Sequence, residues 1–120
     1  MSEIQRPINV HKGYHAHVYF DEDSFDFAES LCHQISTRFE LKVGRVHRKP
    51  VGPHPMWSCQ ITFASKHFDD FISWLDEHRN GLSVLVHALT GDDFKDHTEY
   101  AYWLGNKLEL NLSMFIKKGE

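Results

Sequence analysis

A chain of 120 residues, 41% apolar and 25% charged, has the size and composition of one globular domain; it is too apolar for a disordered chain and too short for an organic-cofactor domain plus a substrate domain. Lys+Arg 13 against Asp+Glu 17 gives a formal net charge of −4, which argues against a dedicated nucleic-acid binder with its basic surplus. No apolar run approaches the roughly 18 residues of a membrane span, the N-terminus MSEIQRPINV has no apolar signal region, and Cys32 and Cys59 are too few for a disulfide framework. The expectation is a single cytoplasmic domain over 1–120, with 1–11 as an irregular lead-in.

Tyr14 to Phe20 (YHAHVYF) is aromatic and β-branched and reads as a strand. Tyr14, Ala16, Val18 and Phe20 share one face; His15, His17 and Tyr19 share the other. Asp23 or Ser24 can cap a helix to about Phe39, with Phe27, Ala28, Leu31, Ile35 and Phe39 at helical spacing. Leu41 to His47 is a short strand containing Gly44. Pro50 to Pro55 holds three of the 4 prolines and must be a stiff loop. Met56 to Ala64 alternates as a half-buried strand. Ser65 opens a second helix to about Arg79, stopped by Asn80-Gly81. Ser83 to His87 is a fourth strand. Asp92 to Trp103 reads as a third helix, capped by Thr90 or Asp92, and Leu108 to Phe115 as a last strand.

The order is β-α-β-β-α-β, the ferredoxin-like split unit. The fold class is therefore α+β: an antiparallel sheet with two packing helices, extended by a C-terminal helix and strand. Right-handed crossovers lead us to expect the first and third strands side by side and parallel, with the fourth antiparallel on the other side of the first. The starts of strands one and three and the end of strand four then meet at one sheet edge. That brings His15, His54 and His87 together, with His17 one pleat further in.

Histidine is the unusual component: there are 10, spread along the chain rather than in one tag-like run. The face opposite the apolar set of strand one collects His15, His17, Tyr19, Ser58, Gln60, Thr62 and His87. Three neutral imidazoles with open positions suit a catalytic Fe(II), Zn or Cu site. A single histidine on such a face is ordinarily a polar surface residue; convergence of several gives the metal or proton-transfer reading its weight. His11, His33, His47, His67 and His78 are read as surface residues. Asp93 and His97 lie four apart and can pair on one helical face, although an acidic helix start is the simpler account of Asp92 and Asp93. Arg45, Arg48 and Lys49 form a basic cluster able to meet a substrate carboxylate, or a plain solvated loop. Gly-rich phosphate loops and a Gly-x-Ser-x-Gly elbow are absent from the sequence.

The blocks YHAHVYFD (14–21), VGPHPMW (51–57) and VHALTGDDFKDHTEYAYWLG (86–105) resemble the DOPA 4,5-dioxygenase family, over about residues 12 to 115. That resemblance implies extradiol cleavage of a catechol by non-haem Fe(II) and O₂, without making DOPA this chain's own substrate. That chemistry fits the converging histidines, with His15, His54 and His87 as the expected ligands, or His17 replacing one of them. His17 or His97 would be the acid/base group, with Arg48, Tyr19 and Gln60 at the substrate. Common Fe(II) sites use two histidines and a carboxylate. Here the triad is all histidine, or Glu99 or an Asp of 92–96 joins it. A homodimer is expected. The competing readings are a non-catalytic dimeric metal- or ligand-binding module, with Trp57, Trp74 and Trp103 partly at the interface, and a metal-free acid/base enzyme.

Overall fold

The computed structural model describes residues 4–115, so residues 1–3 of the expected lead-in and 116–120 lie outside the description. Strand β1 (Gly13–Phe20) leads to helix α1 (Phe25–Phe39), β2 (Lys42–His47), β3 (Trp57–Ala64), helix α2 (Phe68–His78), β4 (Val84–Ala88), a four-residue helix α3 (Asp93–Asp96) and β5 (Ala101–Leu104). The sheet order is β2-β3-β1-β4-β5, and every neighbouring pair is antiparallel. No helix of the described residues is long and apolar enough to cross a membrane.

Alternation along β1 decides what each face of the sheet does. Tyr14, Ala16 and Val18 join Ile61, Phe63, Val84 and Val86 beneath Leu31 and Ile35 of α1 and Phe68, Phe71 and Leu75 of α2. These helix positions recur at three- and four-residue spacing, so each helix buries one stripe. The other face carries a second, smaller apolar cluster of Tyr19, Leu85, Ala101 and Trp103. Met56, Leu108 and Leu110 pack against it, so the segment after β5 covers the histidine face. The sheet therefore separates the helix-side clusters from a smaller one on the histidine face.

The expected parallel pairing of β1 with β3 is wrong. Gly13 lies opposite Ala64 and Phe20 opposite Trp57, an antiparallel register. The crossover through α1 relates β1 to β2, not to β3. β3 returns antiparallel from β2 and inserts between them. The antiparallel placing of β4 beside β1 is as expected.

The C-terminal third also differs. The expected helix from Asp92 to Trp103 shrinks to Asp93–Asp96, and Ala101–Leu104 is a wholly buried strand instead. Two aromatic residues in AYWL favour a pleated surface, and no polar face remains for a helix to expose. Leu108 to Phe115 forms no strand: it runs as an irregular strap with a short 3₁₀ turn at Ser113–Phe115. The outer edge of β5 is already occupied, because Trp103 N–H donates to the Gln5 carbonyl and Arg6 reaches the carbonyls of Trp103 and Gly105.

Gly105 closes β5 with φ 77, in the left-handed region. A Cβ there would stand 2.7 Å from Arg79 Nη1 and 3.3 Å from the Leu82 carbonyl oxygen. Gly105→Ala is expected to cost about 1–2 kcal/mol, read as a lower thermal midpoint. An unchanged midpoint would show that this turn does not constrain β5.

Candidate metal centre

His15 of β1 lies opposite His87 of β4, and Ala16 opposite Val86, so the register alone puts His15, His17 and His87 on one face of two adjacent strands. One ligand nitrogen from each lies within 4.8 Å of the others. The ring centroids of His15 stand 5.7 Å from His17 and 5.3 Å from His87. His17 Nε2 and His87 Nε2 approach to 3.0 Å. On His87, Nδ1–H donates to the Ala88 carbonyl at 2.9 Å, which leaves the lone pair on Nε2. Two Nε2 atoms this close need a proton or a cation between them. Adjacent ligands of an octahedral ion at about 2.1 Å stand about 3.0 Å apart, so the pair fits a divalent metal.

His54 reaches the same face by a different route from the expected one. It precedes β3, whose start lies beside the end of β1, not its beginning. The proline loop instead folds over the sheet, turned by a His54 N–H to Val51 carbonyl bond, with Gly52 at φ 54. The His54 ring lies tilted against His17 with centroids 4.1 Å apart, and its Nδ1 shares a 2.7 Å hydrogen bond with the Tyr19 hydroxyl. Asn111 N–H donates to the Pro53 carbonyl and ties the C-terminal strap to this loop. The nitrogens close enough together to hold a metal are thus those of His15, His17 and His87, with His54 and Tyr19 a hydrogen-bonded pair beside them.

Burial keeps these imidazoles neutral. It holds His17 well below the ordinary histidine value, with the charges of His54 and His87 adding to it. His87 is pushed down to about 3 by burial, then by His97, and His54 to about 4 by burial, then by His97 and His47. His15 is lowered by burial and His97. Burial also raises the Tyr19 phenol, so it stays protonated. Neutral imidazole is the form that ligates a metal.

His97 lies on the other flank, its ring 4.1 Å from His87 and stacked on Phe115 at 4.6 Å. Its Nδ1–H donates to the Asp93 backbone carbonyl at 2.7 Å, so the expected spacing brings it to Asp93 through the main chain. That leaves Nε2 as the free acceptor. Asp96 is buried and accepts from the Thr90 N–H and hydroxyl, which fixes the turn that delivers His97. Among the described residues, the histidine cluster includes no carboxylate: Asp96 is spent on Thr90, and Glu99 is exposed.

Arg48 does not reach this face. Its guanidinium lies 4.4 Å from the Phe25 ring and 5.5 Å from that of Trp57, cation–π contacts with rings that pack on the helix-side cluster of Phe20 and Cys59. Gln60 lies half-buried opposite His17, and Tyr19 is buried against His54. Of the five histidines read as surface residues, His33 and His78 are exposed. His67 is half-buried. His11 is half-buried and bonds the Tyr102 hydroxyl at 2.8 Å, among three tyrosine rings. His47 is half-buried opposite Ser58, and so belongs to the histidine face. Pairing β2 against Ser58 in the sequence would have revealed it, but the register shift between Val43 and Val46 hides the alternation.

A mixed α/β fold with a five-stranded antiparallel sheet, carrying a three-histidine cluster on one face, defines a protein equipped to hold a metal ion. Residues 14–114 match the Dopa 4,5-dioxygenase family, and the chain belongs to it. It is 33% identical over 117 residues to an uncharacterized 21.2 kDa protein of Botryotinia fuckeliana, covering 88% of this chain and 64% of the relative. It is 31% identical over 111 residues to the DOPA 4,5-dioxygenase of Amanita muscaria, covering 85% of this chain and 49% of that enzyme. The chain thus spans less than two thirds of the length of these curated relatives. A crystal structure of a "putative dioxygenase" from Nostoc punctiforme superimposes with a TM-score of 0.81 at 46% identity, covering 84% of this chain and 88% of that one.

Proposed function

We propose that this chain is an extradiol-type ring-cleaving dioxygenase that acts on a catechol, such as DOPA or a related dihydroxyphenyl compound, with non-haem Fe(II) and O₂. The observation that carries the reading is the cluster of His15, His17 and His87 in a chain of this family. These three would hold the ion, so His17 takes the ligand role expected of His54. A bound Fe(II) supplies open positions for the catechol oxygens and O₂. His97, with Nδ1–H fixed on Asp93 and Nε2 free, would accept a proton from a substrate hydroxyl. His54, held by Tyr19, would orient the His17 ring against which it is tilted. The order β2-β3-β1-β4 also supports the ferredoxin-like reading, with β5 as an added edge strand.

The direct test is to load the protein anaerobically with Fe(II), add DOPA or caffeate and then O₂, and follow a yellow muconate semialdehyde. About one metal per chain and a product that disappears with chelator are expected. Metal uptake without any ring-opened product would overturn the catechol reading, and failure to take up any divalent metal would overturn the metal reading.

A further inference from the structure

Beside the histidine cluster lies a cleft of about 530 Å³ that the reading above leaves unassigned. It joins the cluster through His97 and through Ala101, which lies opposite His87 in the sheet. Its apolar lining includes Trp103, Leu108 and Leu110. Three charged residues, all exposed, are among those around it: Glu99, Lys107 and Glu109. Their formal sum is one negative charge. Among the described residues no ion pair involves any of them; the one such pair is Arg79 with Asp76. Arginine, the side chain best shaped to clamp a carboxylate in two places, is absent from the lining.

We propose that this cleft is the subsite for the substrate's side chain, and that it selects an aromatic compound with a cationic amine on its tail over one whose tail carries only a carboxylate. The reasoning joins shape to charge. A ring presented to the cluster beside His97 leaves its substituent along the Trp103 and Leu108 wall. The end of that substituent would then come within the field of two exposed carboxylates and one ammonium. A primary ammonium gains from both glutamates; a lone carboxylate meets one lysine, offset by two like charges. A zwitterionic tail is accepted, because Lys107 answers its carboxylate. Glu99 and Glu109 are therefore specificity-determining residues, carried on the end of the α3–β5 connection and on the C-terminal strap.

This inference rests on the cluster being where the ring reacts, so its test separates the two. Tyramine and 4-hydroxyphenylacetate share a ring and chain length, differ in the charge of the tail, and lack the second hydroxyl that ring cleavage requires. Their binding is followed by titration calorimetry and by the NMR shift of the Trp103 indole N–H, with no turnover involved. Tyramine is expected to bind about fivefold or more tighter than 4-hydroxyphenylacetate at low salt, the gap narrowing as salt is added. In E99Q/E109Q the two ligands become about equal; in K107Q the preference widens. Equal binding by the wild type, a preference for the carboxylate, or a preference untouched by E99Q/E109Q would overturn the proposal. A tyramine preference in a protein that opens no catechol ring would leave the subsite standing and remove the dioxygenase reading alone.

Discussion

His15→Ala is expected to give a folded protein that retains less than about a tenth of the wild-type metal and loses ring-cleaving turnover by roughly a thousandfold or more. The choice of residue matters. His15 is half-buried on the sheet face, whereas His17 and His87 are buried, so alanine at 15 removes a ligand with the least damage to packing. His17→Ala and His87→Ala should lose metal equally, at an added cost in stability, since each strands the other's Nε2 at 3.0 Å without a partner. His54→Ala makes the decisive contrast. It lies outside the three nitrogens grouped closely enough to share an ion, and it meets His17 only through a tilted ring contact, so the metal should stay while turnover falls about 10–100-fold. Elemental analysis of the four variants beside wild type, with circular dichroism to confirm folding, reads this directly. Loss of metal in His54→Ala together with retention in His17→Ala would restore His54 to the ligand set.

That contrast also shows where the sequence spoke and where it stayed silent. The alternation in YHAHVYF gives the histidine face without any knowledge of topology, because side chains on a strand have a period of two. It equally gives the apolar set that packs beneath the helices, and Tyr14, Ala16 and Val18 are in the main core. Which histidine comes from outside these strands depends on strand direction, which periodicity does not encode. His54 arrives through the backbone of the proline loop, and its nearest partner, Tyr19, lies at the far end of β1 from His15. Short buried strands are the hardest element to read. Ala101–Leu104 is buried on both faces, so it shows no alternation; the acidic residues from Asp92 onward do start a helix, capped by Asp92, but it ends at Asp96. Conversely, Leu108, Leu110 and Leu112 alternate like a strand while making none, since they pack on the Trp103 cluster or line the cleft from an irregular strap. Sequence alternation reports one-sided burial, and burial does not require a hydrogen-bonded neighbour.

Acid should unfold the metal-free protein through this site. His17, His54 and His87 are buried and neutral in the native state, with His54 pushed down to about 4 and His87 to about 3, and His17 held well below the ordinary value. In the unfolded chain they titrate near pH 6.5. As pH falls below about 6.5 the unfolded state takes up protons that the native state refuses, so stability falls with falling pH and recovers as pH rises. The stabilisation is whole above the unfolded value and is lost progressively toward the folded values. Each proton taken up on unfolding contributes about 1.4 kcal/mol per pH unit, so three such histidines approach a slope of about 4 kcal/mol per unit near pH 5. That is steep against a typical total stability of about 5–15 kcal/mol. The window between pH 6.5 and 5 lies above the usual carboxylate range, which keeps acidic side chains from accounting for the slope. Urea titrations of the metal-free protein at closely spaced pH values across that window measure it. His54→Gln, which removes one of the buried imidazoles while keeping a polar side chain for Tyr19, should lower the slope by about one proton's share. A flat profile in the wild type would mean that the three rings are protonated or solvated in the folded chain, and the neutral cluster on which metal binding depends would fall with it.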